Sequence, residues 1–199
     1  MQRVFRITLL ILIVAANAAC KKIPVPKPRG FFRIDMPERE YVAFDANKND
    51  ADHFPFSFNY PSFGKLNFNK EFDDEQGWFN IEFSEYKASL YLTYKNINRD
   101  FDELMEQTYK MNIKNHVSKA DAISERYFAD DSLKVYGILY DLKGNTATAV
   151  QFYMTDSVRH FLRGSLYFES APNADSLAPV ITYFRDDIIE LIETLRWEN

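Results

Sequence analysis

LKVYGILYDLKGNTATAVQFYMTDSVRHFLRGSLYF, residues 133–168, is the stretch that decides the fold. It holds three runs rich in aromatic and β-branched residues, Leu133–Leu142, Thr146–Thr155 and Val158–Phe168, parted by short turns at Lys143–Asn145 and Asp156–Ser157. Turns this tight join only antiparallel neighbours, because a parallel pair needs a crossover of a dozen residues or more. The stretch therefore predicts a meander, and Ala122–Phe128 supplies a further strand on its N-terminal side.

Upstream, Tyr86–Lys95 alternates cleanly. Tyr86, Ala88, Leu90, Leu92 and Tyr94 share one face, while Lys87, Ser89, Tyr91, Thr93 and Lys95 share the other. Phe54, Phe56, Phe58 and Tyr60 repeat at period two, a half-buried strand. Shorter strands are expected at Phe31–Ile34, Tyr41–Phe44, around Leu66 and Phe68, and over Trp78–Phe83; Asn47–His53 and Asp73–Gly77 read as a loop and an acidic turn. Two helices interrupt this pattern. Asp100 with Glu103 resembles a capping box ahead of the stripe Phe101, Leu104, Met105, Thr108 and Tyr109. Asp175 is placed to cap a last helix, with Pro179 tolerated in its first turn. Its face is Leu177, Ile181, Phe184, Ile188, Leu191 and Leu195, with Arg196 at the negative end. The expected class is α+β, an antiparallel β-sheet packed by two helices. That layout is similar to the sandwich of PsbP and Mog1-type domains, a likeness of fold that carries no function.

Composition agrees. The chain has 199 residues, 46% hydrophobic and 27% charged, which excludes a wholly disordered chain. Its 18 Phe and 12 Tyr suit well-filled sheet faces. A net charge of −5 argues against a nucleic-acid partner, and one cysteine excludes a disulfide framework or a thiolate zinc cluster.

Residues 1–19 read as a signal peptide: Arg3 and Arg6, then the apolar run Ile7–Ala16, too short to span a bilayer with ease. Ala18 and Ala19 before Cys20 resemble a bacterial lipobox, at which the thiol is acylated, although Asn17 stands where an aliphatic residue is usual. The alternative is an ordinary signal peptide cut nearby, leaving Cys20 a stray thiol in an oxidising compartment. Residues 20–30 form a basic tether in which Pro24, Pro26 and Pro28 favour an extended chain of about 30 Å reach. Lys21, Lys22, Lys27 and Arg29 can meet anionic head groups at about 1 kcal/mol each. Lys21 occupies the place of the aspartate that retains lipoproteins in the inner membrane, and no acidic run follows Cys20, so the outer membrane's periplasmic side is expected. Residues 31–199 form a single domain on this reading.

Few residues promise chemistry. His53, His116 and His160 fall in different elements without metal-ligand spacing, and no nucleophile elbow or phosphate loop is present. Asp73, Asp74 and Glu75 lack EF-hand spacing, and the pairs Asp130–Asp131 and Asp186–Asp187 are adjacent, which points them apart. No cofactor, metal or catalytic residue is expected. Tyr91 and the meander's tyrosines are more simply packing residues than the lining of a ligand groove.

Several segments together resemble the GldD gliding-motility lipoprotein family of Bacteroidetes. They include residues 26–34, 90–95 and 119–123, then Val135-Tyr136-Gly137-Ile138, Gly144-Asn145-Thr146-Ala147, Gln151-Phe152-Tyr153, the run His160 to Phe168, and the close Glu193-Thr194-Leu195-Arg196-Trp197. The resemblance implies a non-enzymatic envelope lipoprotein needed for gliding and the associated type IX secretion machinery. Its partners would be other Gld lipoproteins and a membrane partner of the GldE type. Only Cys20 carries over as a functional residue. Three Asp-Ser-aliphatic triplets match an O-glycosylation pattern of that group's envelope proteins, with acceptors Ser132, Ser157 and Ser176; Asp-Ser equally suits turns and helix starts. The rival readings are a lipoprotein that binds a small ligand, glycan or peptidoglycan on the sheet, and an envelope hydrolase built on His116 or His160.

Overall fold

The computed structural model describes residues 33–45, 54–68, 77–170 and 173–198. Cys20, the tether, Phe31 and Phe32, the loop with His53 and the acidic turn's Asp73, Asp74 and Glu75 lie outside them.

Among the described residues two antiparallel sheets form. The larger is built from β3 (Lys65–Phe68), β4 (Trp78–Phe83), β5 (Ala88–Asn96), β6 (Ala122–Asp130), β7 (Val135–Lys143), β8 (Thr148–Thr155) and β9 (His160–Phe168), in the order β3-β4-β5-β9-β8-β7-β6. The smaller sets β2 (Phe56–Pro61) between β1 (Tyr41–Asp45) and the two-residue β10 (Arg196–Trp197). Helix α1 (Phe101–Tyr109) runs into a π-helical turn at Lys110–Lys114, and α2 is Ala174–Thr194.

The meander forms as its spacing requires: β6 to β9 pair in sequence order, and β9 then pairs with β5. Gly144, at φ 97°, opens the β7–β8 turn with a backbone that favours glycine. Gly164 lies in mid-strand for another reason, since a β-carbon there would collide with the Phe152 ring on the neighbouring strand. Helix α2 and the small sheet cover one face of the large sheet. Phe44, Phe56 and Phe58 join Phe79, Leu90, Val150, Phe152 and Leu166 with Phe184, Ile188 and Leu191 of α2 in one core. Ring contacts run through it, from Phe44 on Phe58 at 4.8 Å to Phe83 on Phe184 at 4.5 Å.

On the opposite face α1 packs through Leu104 onto Tyr140, Leu142, Tyr153 and Phe161. Covered on both sides, β8 is buried along its whole length.

The α+β architecture is as the sequence implies, with local differences. The N-terminal strands leave the main sheet for the small one, because the face carrying Phe56 and Phe58 has to cover the large sheet. Arg33 and Ile34 form no strand. Ser84–Tyr86 makes a 3-10 turn, and the fifth strand begins only after Lys87, at φ 48°. Asp100 is at the N-cap of α1, but its carboxylate accepts from Asn98 N–H at 2.7 Å and caps nothing in the helix. Tyr109 turns to solvent, and Asn112 takes the last buried place of the stripe. Asn173, not Asp175, caps α2 by accepting from Ser176 N–H at 3.3 Å. Pro179 therefore falls in the second turn. Arg196 donates to the carbonyls of Glu193 and Leu195, as its charge suits at a helix end.

Candidate functional site

Helix α1 covers the second face only in part, and the open part is a groove of about 600 Å³. Strand register lays its floor in rows. Trp78, Thr93 and Arg163 are successive neighbours across β4, β5 and β9. Asn80, Tyr91, Ser165 and Gln151 form the next row. Gln107, Met111 and Asn115, at helical spacing, stand along the wall. Trp78 and Tyr91 are each about half exposed, and Tyr91 meets Tyr167 edge to face at 5.5 Å.

Arg163 is the unusual member. Its Nη1 donates to the Met111 thioether at 3.1 Å and its Nη2 to Asn112 Oδ1 at 3.3 Å, a weak acceptor and a long bond. Its Nε is buried with no hydrogen-bond partner, as are Asn112 Nδ2 and Thr108 Oγ1 on the helix above it. Burial pushes the guanidinium's pKa down, with only the Tyr167 hydroxyl pulling the other way. The π-helical turn falls at Met111 and Asn112, the two residues that meet this side chain. At the groove's end His116 Nε2 accepts from Gln151 Nε2–H at 3.1 Å. Burial first, then Lys119, lowers its pKa, so the imidazole is neutral near pH 7 and accepts from the amide.

The other candidates fall elsewhere. His160 lies on the opposite face, its ring on Trp197 at 5.1 Å and its Nδ1 2.8 Å from the Tyr94 hydroxyl. Among the described residues neither His116 nor His160 meets a serine and a carboxylate in the arrangement a hydrolase needs. Asp186 and Asp187 do not point apart, because both reach Arg39, at 2.9 and 3.3 Å. Asp187, 3% exposed, also accepts from the Tyr41 hydroxyl at 2.8 Å, and burial raises its pKa. That cluster ties the first strand to α2, and the cavity that Asp187 lines holds only about 10 Å³. Asp130 accepts from Ser132 N–H and Oγ–H in the β6–β7 turn, and Asp156 accepts from three backbone N–H groups around Ser157. Ser176 lies in the first turn of α2. Among the described residues no group of His, Cys, Asp and Glu could hold a metal ion, and no helix is long and apolar enough to cross a membrane.

A family model described as "Gliding motility lipoprotein GldD" matches residues 21–197. The chain belongs to this family. The match reaches from beside Cys20 almost to the chain's last residue, so it takes in the whole described fold. No curated protein matches the sequence. Among solved structures, the solution structure of cyanobacterial PsbP (CyanoP) from Synechocystis sp. PCC 6803 is similar. It shares 11% identity at a TM-score of 0.48, over 83% of this chain and 97% of that one. As a member of a gliding motility lipoprotein family, the chain is a lipid-anchored envelope protein.

Sequence patterning does not single out Arg163. The available signal was a cation in mid-strand among Phe161, Leu162, Gly164 and Leu166, opposite a helix stripe that turns polar at Thr108 and Asn112.

Proposed function

We propose that the protein is a non-enzymatic assembly or scaffold component of the gliding machinery and the associated type IX secretion apparatus. The observation that carries this reading is the family match over residues 21–197. Residues 1–19 are removed, Cys20 is acylated, residues 20–30 are the tether, and residues 31–199 are the domain held at the membrane. Lys21 and the basic residues after it favour the periplasmic side of the outer membrane. Other Gld lipoproteins and a GldE-type membrane protein are the partners, and Ser132, Ser157 and Ser176 are its O-glycan acceptors. Cys20→Ala is expected to move the protein from the membrane to the soluble envelope fraction and abolish gliding, with its thermal unfolding unchanged. Membrane partitioning of that variant at the wild-type level would sink the anchor.

A second reading has the groove behind it: a ligand or glycan bound on the sheet face among Trp78, Tyr91, Arg163 and Gln151. A tethered contact module has no evident need for a polar cleft of about 600 Å³ beside its core.

A further inference from the structure

We infer that the groove binds an acidic saccharide and that Arg163 is the anchor for its carboxylate. This rests on the second reading above and names the chemistry of its ligand.

The charge balance comes first. The chain has more acids than bases, yet among the described residues no Asp or Glu lines the groove, while Arg163 and Lys95 do. Arg163 is largely withdrawn from water, and among the described residues its hydrogen-bond partners are a thioether and one long amide bond, with Nε unpartnered. A guanidinium usually leaves water for a carboxylate fork, and holding one without it costs the fold free energy. A side chain kept at that cost on an open groove is poised for an anion that arrives from solution.

The surroundings narrow the ligand. Strands β4, β5, β9 and β8 each have a neighbour on both sides, so their backbone N–H and C=O groups are already spent on the sheet. A peptide added as a strand finds no edge here, and recognition falls to side chains. Those side chains are half-exposed aromatic faces, Trp78 and Tyr91, beside the amides of Asn80 and Asn115 and the hydroxyls of Thr93 and Ser165. Flat rings cover the C–H faces of a sugar, while amides and hydroxyls bond its ring oxygens. A volume of about 600 Å³ suits two or three sugar residues.

The test is calorimetric titration of the full chain in detergent with a matched pair of probes. One is the disaccharide of N-acetylglucosamine and N-acetylmuramic acid; the other is chitobiose, which lacks the lactyl carboxylate. The acidic disaccharide is expected to bind at least tenfold more tightly, and Arg163→Gln to erase that difference with no fall in melting temperature. A purely structural arginine would lower the melting temperature on removal and leave the ratio of affinities alone. Should Arg163→Gln fail to fold, the wild-type Arg163 Nε–H resonance decides: it shifts with the acidic probe and stays in place with chitobiose. Equal binding of both probes overturns the carboxylate anchor and leaves the groove reading standing. Binding of neither overturns both.

Discussion

The two faces of the large sheet come from the same strands and differ in almost everything else. Along β9, Leu162, Gly164 and Leu166 enter the core while Arg163, Ser165 and Tyr167 face the groove. Along β5, Leu90, Leu92 and Tyr94 go inward, and Ser89, Tyr91 and Thr93 outward. The inner face is covered by α2 and the small sheet and filled with rings and aliphatic side chains, save along the largely exposed edge strand β6. The outer face is covered by one short helix and mixes charge, amide and aromatic groups, with polar atoms of Arg163, Asn112 and Thr108 buried and unpartnered among the described residues, as His160 Nε2 and Asp187 Oδ2 are on the inner side. Period-two alternation lets one set of strands keep stability on one side and recognition on the other.

The largest effect that can break this division lies at Phe184. It is 1% exposed and meets Phe83 at 4.5 Å and Tyr86 at 5.6 Å, where α2 enters the sheet. Phe184→Ala is expected to cost about 3–5 kcal/mol in denaturant unfolding, from lost burial and the cavity left behind. A loss below about 1 kcal/mol would mean that α2 is not what closes the inner face.

A middling effect separates the two histidines. His160 is 5% exposed on the core side, and burial lowers its pKa; Arg159 adds to that, and Asp156 opposes it. With the folded pKa below the unfolded value of about 6.5, the unfolded chain binds the extra proton in mild acid. The stability concerned is therefore whole above pH 6.5 and lost as pH falls from there towards the folded pKa, at up to about 1.4 kcal/mol per pH unit. His160→Gln is expected to flatten that loss in melting temperatures taken from pH 7.5 to 5. His116, at the groove's end and also shifted down by burial, leaves a slope of its own in that variant. A variant with the wild-type slope would move the effect to His116 or to the carboxylates.

How far these faces could be read in advance follows from the same physics. Strands β5 to β9 were legible because alternation and tight turns are local, and so was α2, whose apolar face repeats over five turns. The small sheet was not, since nothing in Tyr41–Asp45 or Phe56–Pro61 says which edge they join, and the two-residue β10 is too short for any pattern. Cap identity failed for a different reason. Asp100 and Asp175 have the right chemistry, but Asn98 N–H claims the first, and Asn173 starts the helix before the second. The groove was half legible: Tyr91 stands out on the exposed face, whereas Arg163 and Asn112 become one site only when α1 crosses β9, a contact between residues 51 apart in sequence.

The smallest expected effect sharpens the comparison most. Tyr91 is about as large as Phe184 and sits in mid-strand on β5, so a rule that counts aromatic rings would rank the two alike. Its surroundings differ. It is 48% exposed, its cross-strand neighbours are Asn80 and Ser165, and its one ring partner among the described residues, Tyr167, is itself 39% exposed. An aromatic pair contributes about 0.5–1.5 kcal/mol beyond burial, and contact with water reduces the burial part. Tyr91→Ala is therefore expected to cost under about 1 kcal/mol in the unfolding assay that reads Phe184→Ala. A cost near that of Phe184→Ala would make the outer face a second core, and its open aromatics would then need no ligand to account for them. A small cost leaves a large ring that the fold does not require, held where a sugar ring would lie against it.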